Sequence, residues 1–166
     1  MHPGLAEQTE RAPRFSLEGQ TRWAKCVKNY DGDSIHIVMH FNGGFTRFPC
    51  RLKGIDTAEL RSSNSAEKAH AKKARDYLHK RIVNRIVLVH CGAWDKYGRL
   101  LVTVFMPNDT DGDSDTHTTE ATKVDLASSC TNVNDELVKH NLAYAYEGRQ
   151  RKAFKEWFGS HGTTIN

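Results

Sequence analysis

The chain has 166 residues, of which 38% are hydrophobic and 27% charged, enough for one globular domain with a buried core. No apolar run approaches the roughly 20 residues of a membrane span, and the first residues lack a secretion signal, so we expect an intracellular protein away from membranes. The net charge of +4 is uneven. Residues 108–136 hold eight acids and one lysine, a charge of −7, which leaves +11 on the rest and favours a polyanionic partner.

Three strands are predicted in the first third of the chain, after a polar N-terminal segment (1–20) that we expect to be flexible. Within the second strand, Ile35, Ile37 and Met39 alternate with other residues, as in a strand with one buried face. The Asn-Gly-Gly sequence at 42–44 predicts a tight hairpin turn. The three predicted strands cover residues 21–30, 34–41 and 45–54.

A helix follows, with asparagine at position 64 and glutamate three residues later as its N-terminal cap. Apolar residues recur at helical spacing within residues 64–84, at Ala71, Ala74, Leu78 and Ile82. The opposite side of this helix is basic, which fits either a phosphate-binding face or an ordinary solvated surface.

The remaining elements are two strands, a long polar loop and two helical segments. Asn141 is expected to end the first two turns of the earlier segment in the left-handed conformation. The strands cover 85–91 and 99–106, the loop 107–133, the helical segments 134–146 and 149–158, and a tail 159–166. Five short strands with one helix between the third and fourth predict an α+β fold. We expect a five-stranded barrel of the oligonucleotide/oligosaccharide-binding (OB) type with C-terminal helices, spanning residues 21–158.

The four cysteines do not form Cys-x-x-Cys pairs, so a zinc knuckle or a thioredoxin-like site is not expected. Three of them, Cys26, Cys50 and Cys91, lie in predicted strands, and we interpret them as buried free thiols.

The sequence Asp-Gly-Asp-Ser occurs twice, and both copies are rich in carboxylates that suit a hard cation. The second copy is spaced partly like a calcium loop, with Asp109, Asp111, Asp113 and Glu120 at positions 1, 3, 5 and 12. However, Ser114 replaces the glycine required at position 6 and no helices flank the segment, which favours a solvated loop. The first copy, taken alone, is most often only a turn.

Two further motifs follow the first copy, RLKGIDTAE at 51–59 and DKYGR at 95–99. In this order, with a predicted helix between them, the three motifs resemble the staphylococcal nuclease (thermonuclease) family. The resemblance extends to the sequence VNDELVKHNLAYAY at 133–146 and covers about residues 21–146.

The resemblance implies a nuclease that hydrolyses phosphodiester bonds of DNA and RNA with one calcium ion and little sequence specificity. Single-stranded substrates are expected to be preferred, and the protein is expected to be a monomer. The implied residues are Asp33, Asp56 and the Thr57 carbonyl for the metal; Arg51, Glu59 and Arg99 for catalysis; and Tyr97 for substrate, joined by Lys72 and Lys73 of the basic helix.

These residue types suit the reaction because charge grows on the phosphoryl oxygens in the transition state. Arginine forks bind such oxygens in pairs, carboxylates hold a divalent cation, and a glutamate can take a proton from water or orient it. The family usually has proline where this chain has Ala58, so the loop carrying Glu59 is expected to be less preorganised.

Two other functions remain open at this stage. One is a non-catalytic nucleic-acid-binding module on the same fold, which would not need the intact set of acids and arginines. The other is a protein-interaction adaptor built on the acidic segment 107–133.

Overall fold

The computed structural model describes residues 3–108, 129–148 and 151–158. The strands are β1 Thr21–Asn29, β2 Ser34–Phe41, β3 Gly44–Leu52, β4 Ile55–Thr57, β5 Ile86–Trp94, β6 Leu100–Pro107, β7 Cys130–Asn132 and β8 Ala143–Ala145. The helices are α1 Ser65–Ile82, α2 Val133–Lys139 and α3 Phe154–Phe158, with a 3-10 turn at Leu5–Glu7.

Five strands form the closed barrel that the sequence predicts. The strands pair in the order β3-β2-β1-β5-β6, with antiparallel neighbours, and a parallel pairing of β3 with β6 closes the barrel. Helix α1 connects the strands before it to β5, as predicted. Strand β7 adds to β6 as an extra antiparallel strand, and β4 pairs with β8 in a separate two-stranded sheet.

The barrel interior is filled by the predicted alternating apolar residues. Ile35 and Ile37 of β2 are fully buried, and Phe48, Cys50 and Leu52 face them from β3. All four cysteines are buried free thiols, which confirms the interpretation made for the three in strands. Leu17, within the N-terminal segment, also packs into this core.

Helix α1 buries the predicted apolar side and adds His70 to it. Its cap is the predicted one, because the Asn64 side chain accepts hydrogen bonds from the backbone N–H groups of Ala66 and Glu67. The Glu67 carboxylate does not complete a reciprocal capping box. It instead accepts from the Ser62 hydroxyl and from the backbone N–H of Glu59.

The C-terminal third differs from the prediction in three ways. The predicted helical segment 134–146 was wrong in its extent: α2 begins at Val133, is capped by Asn132 and ends at Lys139, and residues 143–145 form β8. The final helix is shorter than the predicted 149–158. Within the predicted loop 107–133, residues 130–132 form β7. Asn141 does adopt the predicted left-handed conformation, with φ 55°.

The acidic residues of the second Asp-Gly-Asp-Ser copy, Asp109 to Glu120, lie outside the described residues. Among the described helices, none combines the length and apolar character needed to cross a membrane.

Candidate functional site

The first Asp-Gly-Asp-Ser sequence forms the turn between β1 and β2. Asp31 shapes this turn, because its Oδ1 atom accepts hydrogen bonds from the backbone nitrogens of Asp33 and Ser34, at 3.1 and 2.7 Å. Gly32 allows the turn to pack closely on its neighbours, since a Cβ there would lie 2.8 Å from Ala74 Cβ and 2.9 Å from Thr57 Cγ2. The turn therefore carries the Asp33 carboxylate toward β4.

Arg51 links the two predicted carboxylate ligands. It lies on β3 directly opposite Ser34 in the strand register. One guanidinium nitrogen, Nη2, lies 3.0 Å from an oxygen of Asp33 and 2.6 Å from an oxygen of Asp56. Both carboxylates are buried. The Arg51 guanidinium on β3 of the barrel therefore contacts a buried carboxylate of the separate sheet, that of Asp56 on β4.

Asp56 and Thr57 are positioned by the pairing of β4 with β8. Asp56 lies opposite Tyr144 in the register, and the Tyr144 hydroxyl donates to Asp56 Oδ2 at 2.7 Å. Thr57 lies opposite Ala143 and is buried beside the turn at Gly32. The alternation of alanine and tyrosine at 143–146 is typical of a strand and was the available signal for β8.

Glu59 follows β4 in a loop and its side chain is about half exposed. The loop has Ala58 where the family usually has proline, and it is held instead by the Glu67 carboxylate, which accepts the Glu59 backbone N–H at 3.3 Å. The Glu59 carboxylate forms an ion pair with Arg151. It is thus directed toward the same group of charges as Asp56.

Arg99 approaches from the turn between β5 and β6. Asp95 fixes its direction, with Asp95 Oδ2 2.7 Å from Arg99 Nε, and the outer guanidinium nitrogen reaches the Ser34 hydroxyl at 3.3 Å. Tyr97 is exposed, with its ring 5.5 Å from the Arg99 guanidinium carbon. Asp95, which sequence reasoning did not assign, therefore acts as a positioning residue for Arg99.

A polar cavity of about 250 Å³ joins these groups. Its lining includes Asp31, Asp33, Ser34, Arg51, Thr57, Ala58, Glu59, Tyr97, Arg99 and Arg151. Lys72 and Lys73 are exposed on α1 and are not part of this lining, so their part in substrate binding stays a prediction. A second cavity, of about 600 Å³, lies beside β7 and α2, and no arginine is among the described residues that line it.

Arg151 is a further residue of this site, after Asp95, that sequence reasoning did not assign to it. It lies between β8 and α3, and its guanidinium donates to both oxygens of Asp56, from Nε at 2.5 Å and from Nη2 at 2.8 Å. No sequence spacing indicates this contact, since it depends on how the end of the chain packs.

The two buried carboxyls differ in their electrostatic surroundings. Burial raises the pKa of Asp33 to about 8, and the Asp31 carboxylate adds to this effect against the lowering by Arg51. Burial also acts to raise the pKa of Asp56, but the hydrogen bonds from Arg151 and Tyr144 outweigh it and hold that pKa below its usual range. Asp33 is therefore the carboxyl that gains most from a further positive charge.

The donor set suits a hard divalent cation such as calcium. Asp33 and Asp56 offer carboxylate oxygens, and the Thr57 backbone offers a carbonyl on the strand that carries Asp56. Within the described ranges, no three side chains of His, Cys, Asp or Glu cluster as a metal centre. A site made of two carboxylates and one backbone carbonyl contains only two such side chains and is consistent with that.

Comparison with protein-family models matches residues 49–157, more than half of the chain, to the family described as staphylococcal nuclease homologue. The match includes two of the three motifs noted in the sequence, together with β8 and most of α3. Among curated proteins, no match to the chain was found.

Proposed function

The chain belongs to the staphylococcal nuclease family, and from that premise we propose that it is a calcium-dependent nuclease. It would hydrolyse phosphodiester bonds of DNA and RNA with little sequence specificity and with a preference for single strands. The observation that carries the proposal is the polar cavity where Asp33, Arg51, Glu59 and Arg99 meet.

The metal would be held by Asp33, Asp56 and the Thr57 carbonyl. When bound, a divalent ion supplies Lewis-acid polarisation and neutralises phosphate charge. The support for this metal site is the oxygen-rich donor set, which comes from the turn before β2 and from β4.

The chain's own residues supply the other requirements of the reaction. Arg51 and Arg99 present guanidinium groups that bind phosphoryl oxygens, and Asp95 keeps Arg99 oriented. Glu59 is half exposed, which suits a carboxylate that orients water or takes its proton. Tyr97 offers an exposed ring on which a base or sugar can pack.

The direct test is cleavage of labelled single-stranded DNA and RNA with calcium, with magnesium and with chelator. We expect cleavage in calcium and none in chelator. The Asp33→Ala/Asp56→Ala double variant should be inactive, and activity equal to that of the wild type would refute the assignment.

Arg51 gives a sharper prediction at the same site. Arg51→Ala should lower kcat by about 10²- to 10³-fold, because a preplaced donor to the transition state is lost. Arg51→Lys keeps the charge but not the paired geometry, so it should recover only part of the rate. Circular dichroism checks that both variants fold. A rate unchanged in Arg51→Ala would remove Arg51 from the catalytic set.

A non-catalytic nucleic-acid-binding module is the second candidate, and one observation favours it. Arg51, Tyr144 and Arg151 already satisfy the Asp56 carboxylate, as in a purely structural network. Tight binding of oligonucleotides, with no product after long incubation in calcium, would support this function over the nuclease.

A further inference from the structure

Arg151 places a protein cation on the acidic side of the site. Its guanidinium donates two hydrogen bonds to the Asp56 carboxylate and also forms an ion pair with Glu59. A paired fork on a carboxylate is among the stronger ionic contacts in proteins. One side chain thus neutralises both a proposed metal ligand and the proposed water-orienting residue.

The Asp56 carboxylate has no free acceptor position in this arrangement. A carboxylate offers about four lone-pair positions. Here Oδ1 accepts from Arg51 and Arg151, while Oδ2 accepts from Tyr144 and Arg151. A metal ion that binds Asp56 must therefore replace one of these donors.

Of the three residues that donate to the Asp56 carboxylate, Arg151 can be displaced at the lowest cost in free energy. The Tyr144 residue is buried within a strand pair, and Arg51 is held at the same time by Asp33. The Arg151 side chain is 49% exposed and lies outside the helices and strands. Its other partner, Glu59, is also half exposed, so water can take over both contacts.

The displaced side chain would remain close to the site. The Lys152 backbone N–H donates to the Tyr144 hydroxyl at 3.1 Å, and the Trp157 ring of α3 packs 5.1 Å from the Tyr144 ring. These contacts tether the segment that carries Arg151, so the guanidinium competes as an intramolecular ligand at high effective concentration.

We propose that Arg151 occupies the Asp56 carboxylate in the metal-free protein and competes there with the divalent cation. The proposal rests on the proposed metal site at Asp33 and Asp56. It makes Arg151 a positioning residue that keeps the acidic side of the site folded without metal and weakens the affinity for metal.

The test is calorimetric titration of calcium into the nucleic-acid-free protein. Arg151→Gln should bind calcium at least about tenfold more tightly than the wild type, because the competing charge is gone. Lys152→Gln is the matched control, because it removes the same charge one residue away. The Lys152 ammonium lies 5.8 Å from the centre of the Tyr144 ring, and its removal should leave the calcium affinity unchanged. Arg151→Lys keeps the charge but not the paired hydrogen bonds, so its calcium affinity should lie between those of the wild type and Arg151→Gln.

Thermal unfolding provides a second readout. Without metal, Arg151→Gln should have a lower Tm than the wild type, and saturating calcium should remove or reverse the difference. Calcium affinity equal to or weaker than that of the wild type in both Arg151 variants would overturn the inference while leaving the metal site intact. If the wild type binds no calcium, or if Asp33→Asn does not reduce binding, the proposed metal site fails and this inference fails with it.

Discussion

Gly32 sets the spacing between the first acidic turn and the strand that carries Asp56. Any other residue would be overpacked here, because an added Cβ would meet Ala74 and Thr57 at less than 3 Å. The glycine is needed for close approach and not for a left-handed backbone, since its φ is not positive. An ordinary Asp-Gly turn would not require such an approach.

Gly32→Ala should lower the free energy of unfolding by about 1–3 kcal/mol, as is usual for overpacking. Urea denaturation of the metal-free protein measures the change. Gly44→Ala is the control, because a Cβ at Gly44 meets nothing within 4 Å, and it should cost much less. Equal losses in the two variants would mean that the turn relaxes freely.

At the level of elements, the contact between α1 and α3 includes a buried histidine. His70 is buried on α1, and its Nε2 atom has no hydrogen-bond partner among the described residues. The rings of Phe154, Trp157 and Phe158 surround it at 4.6–5.6 Å. Burial lowers the pKa of His70 and outweighs a hydrogen bond with the Asn141 backbone that acts to raise it.

This environment gives stability a defined pH dependence. The folded pKa lies below the unfolded value, so the unfolded chain binds the proton first and stability falls as pH drops below about 6.5. The contribution is at most about 1.4 kcal/mol per pH unit. His70→Leu should flatten the loss between pH 7.5 and 5.5 in urea denaturation, whereas His40→Gln, at an exposed position on β2, should not. An unchanged slope in His70→Leu would show that α3 does not enforce the neutral form.

The helices and strands also show which parts of the fold can be predicted from the sequence. The barrel strands were predictable because their apolar residues alternate over eight or nine residues, and α1 because its period is regular. Strands β4 and β8 have three residues each and pair across about half of the chain, so the alternation at 143–146 is too short to predict which strand β8 pairs with. Motif order identified Asp56 and Thr57, but the role of Arg151 arises only from tertiary packing.

On the scale of the whole molecule, the excess of positive charge predicts salt-dependent binding of nucleic acid. Each phosphate contact to a single strand adds about 0.7 to the slope of log K against log salt. In chelator, the double variant Lys72→Gln/Lys73→Gln should reduce the slope for oligothymidylate by about 1.4 if both lysines bind phosphate. Lys25→Gln/Lys28→Gln on β1 is the charge-matched control. A reduced slope in that control alone would assign the nucleic acid to β1 and not to α1.

The separate pairing of β4 with β8 has a consequence during synthesis. The strands that close the barrel are complete once residue 107 has left the ribosome, whereas Asp56 and Thr57 wait for residues 143–145 to pair with them. The pairing that positions Asp56 can therefore form only after all five strands of the barrel have been synthesised, so the acidic side of the site is completed last.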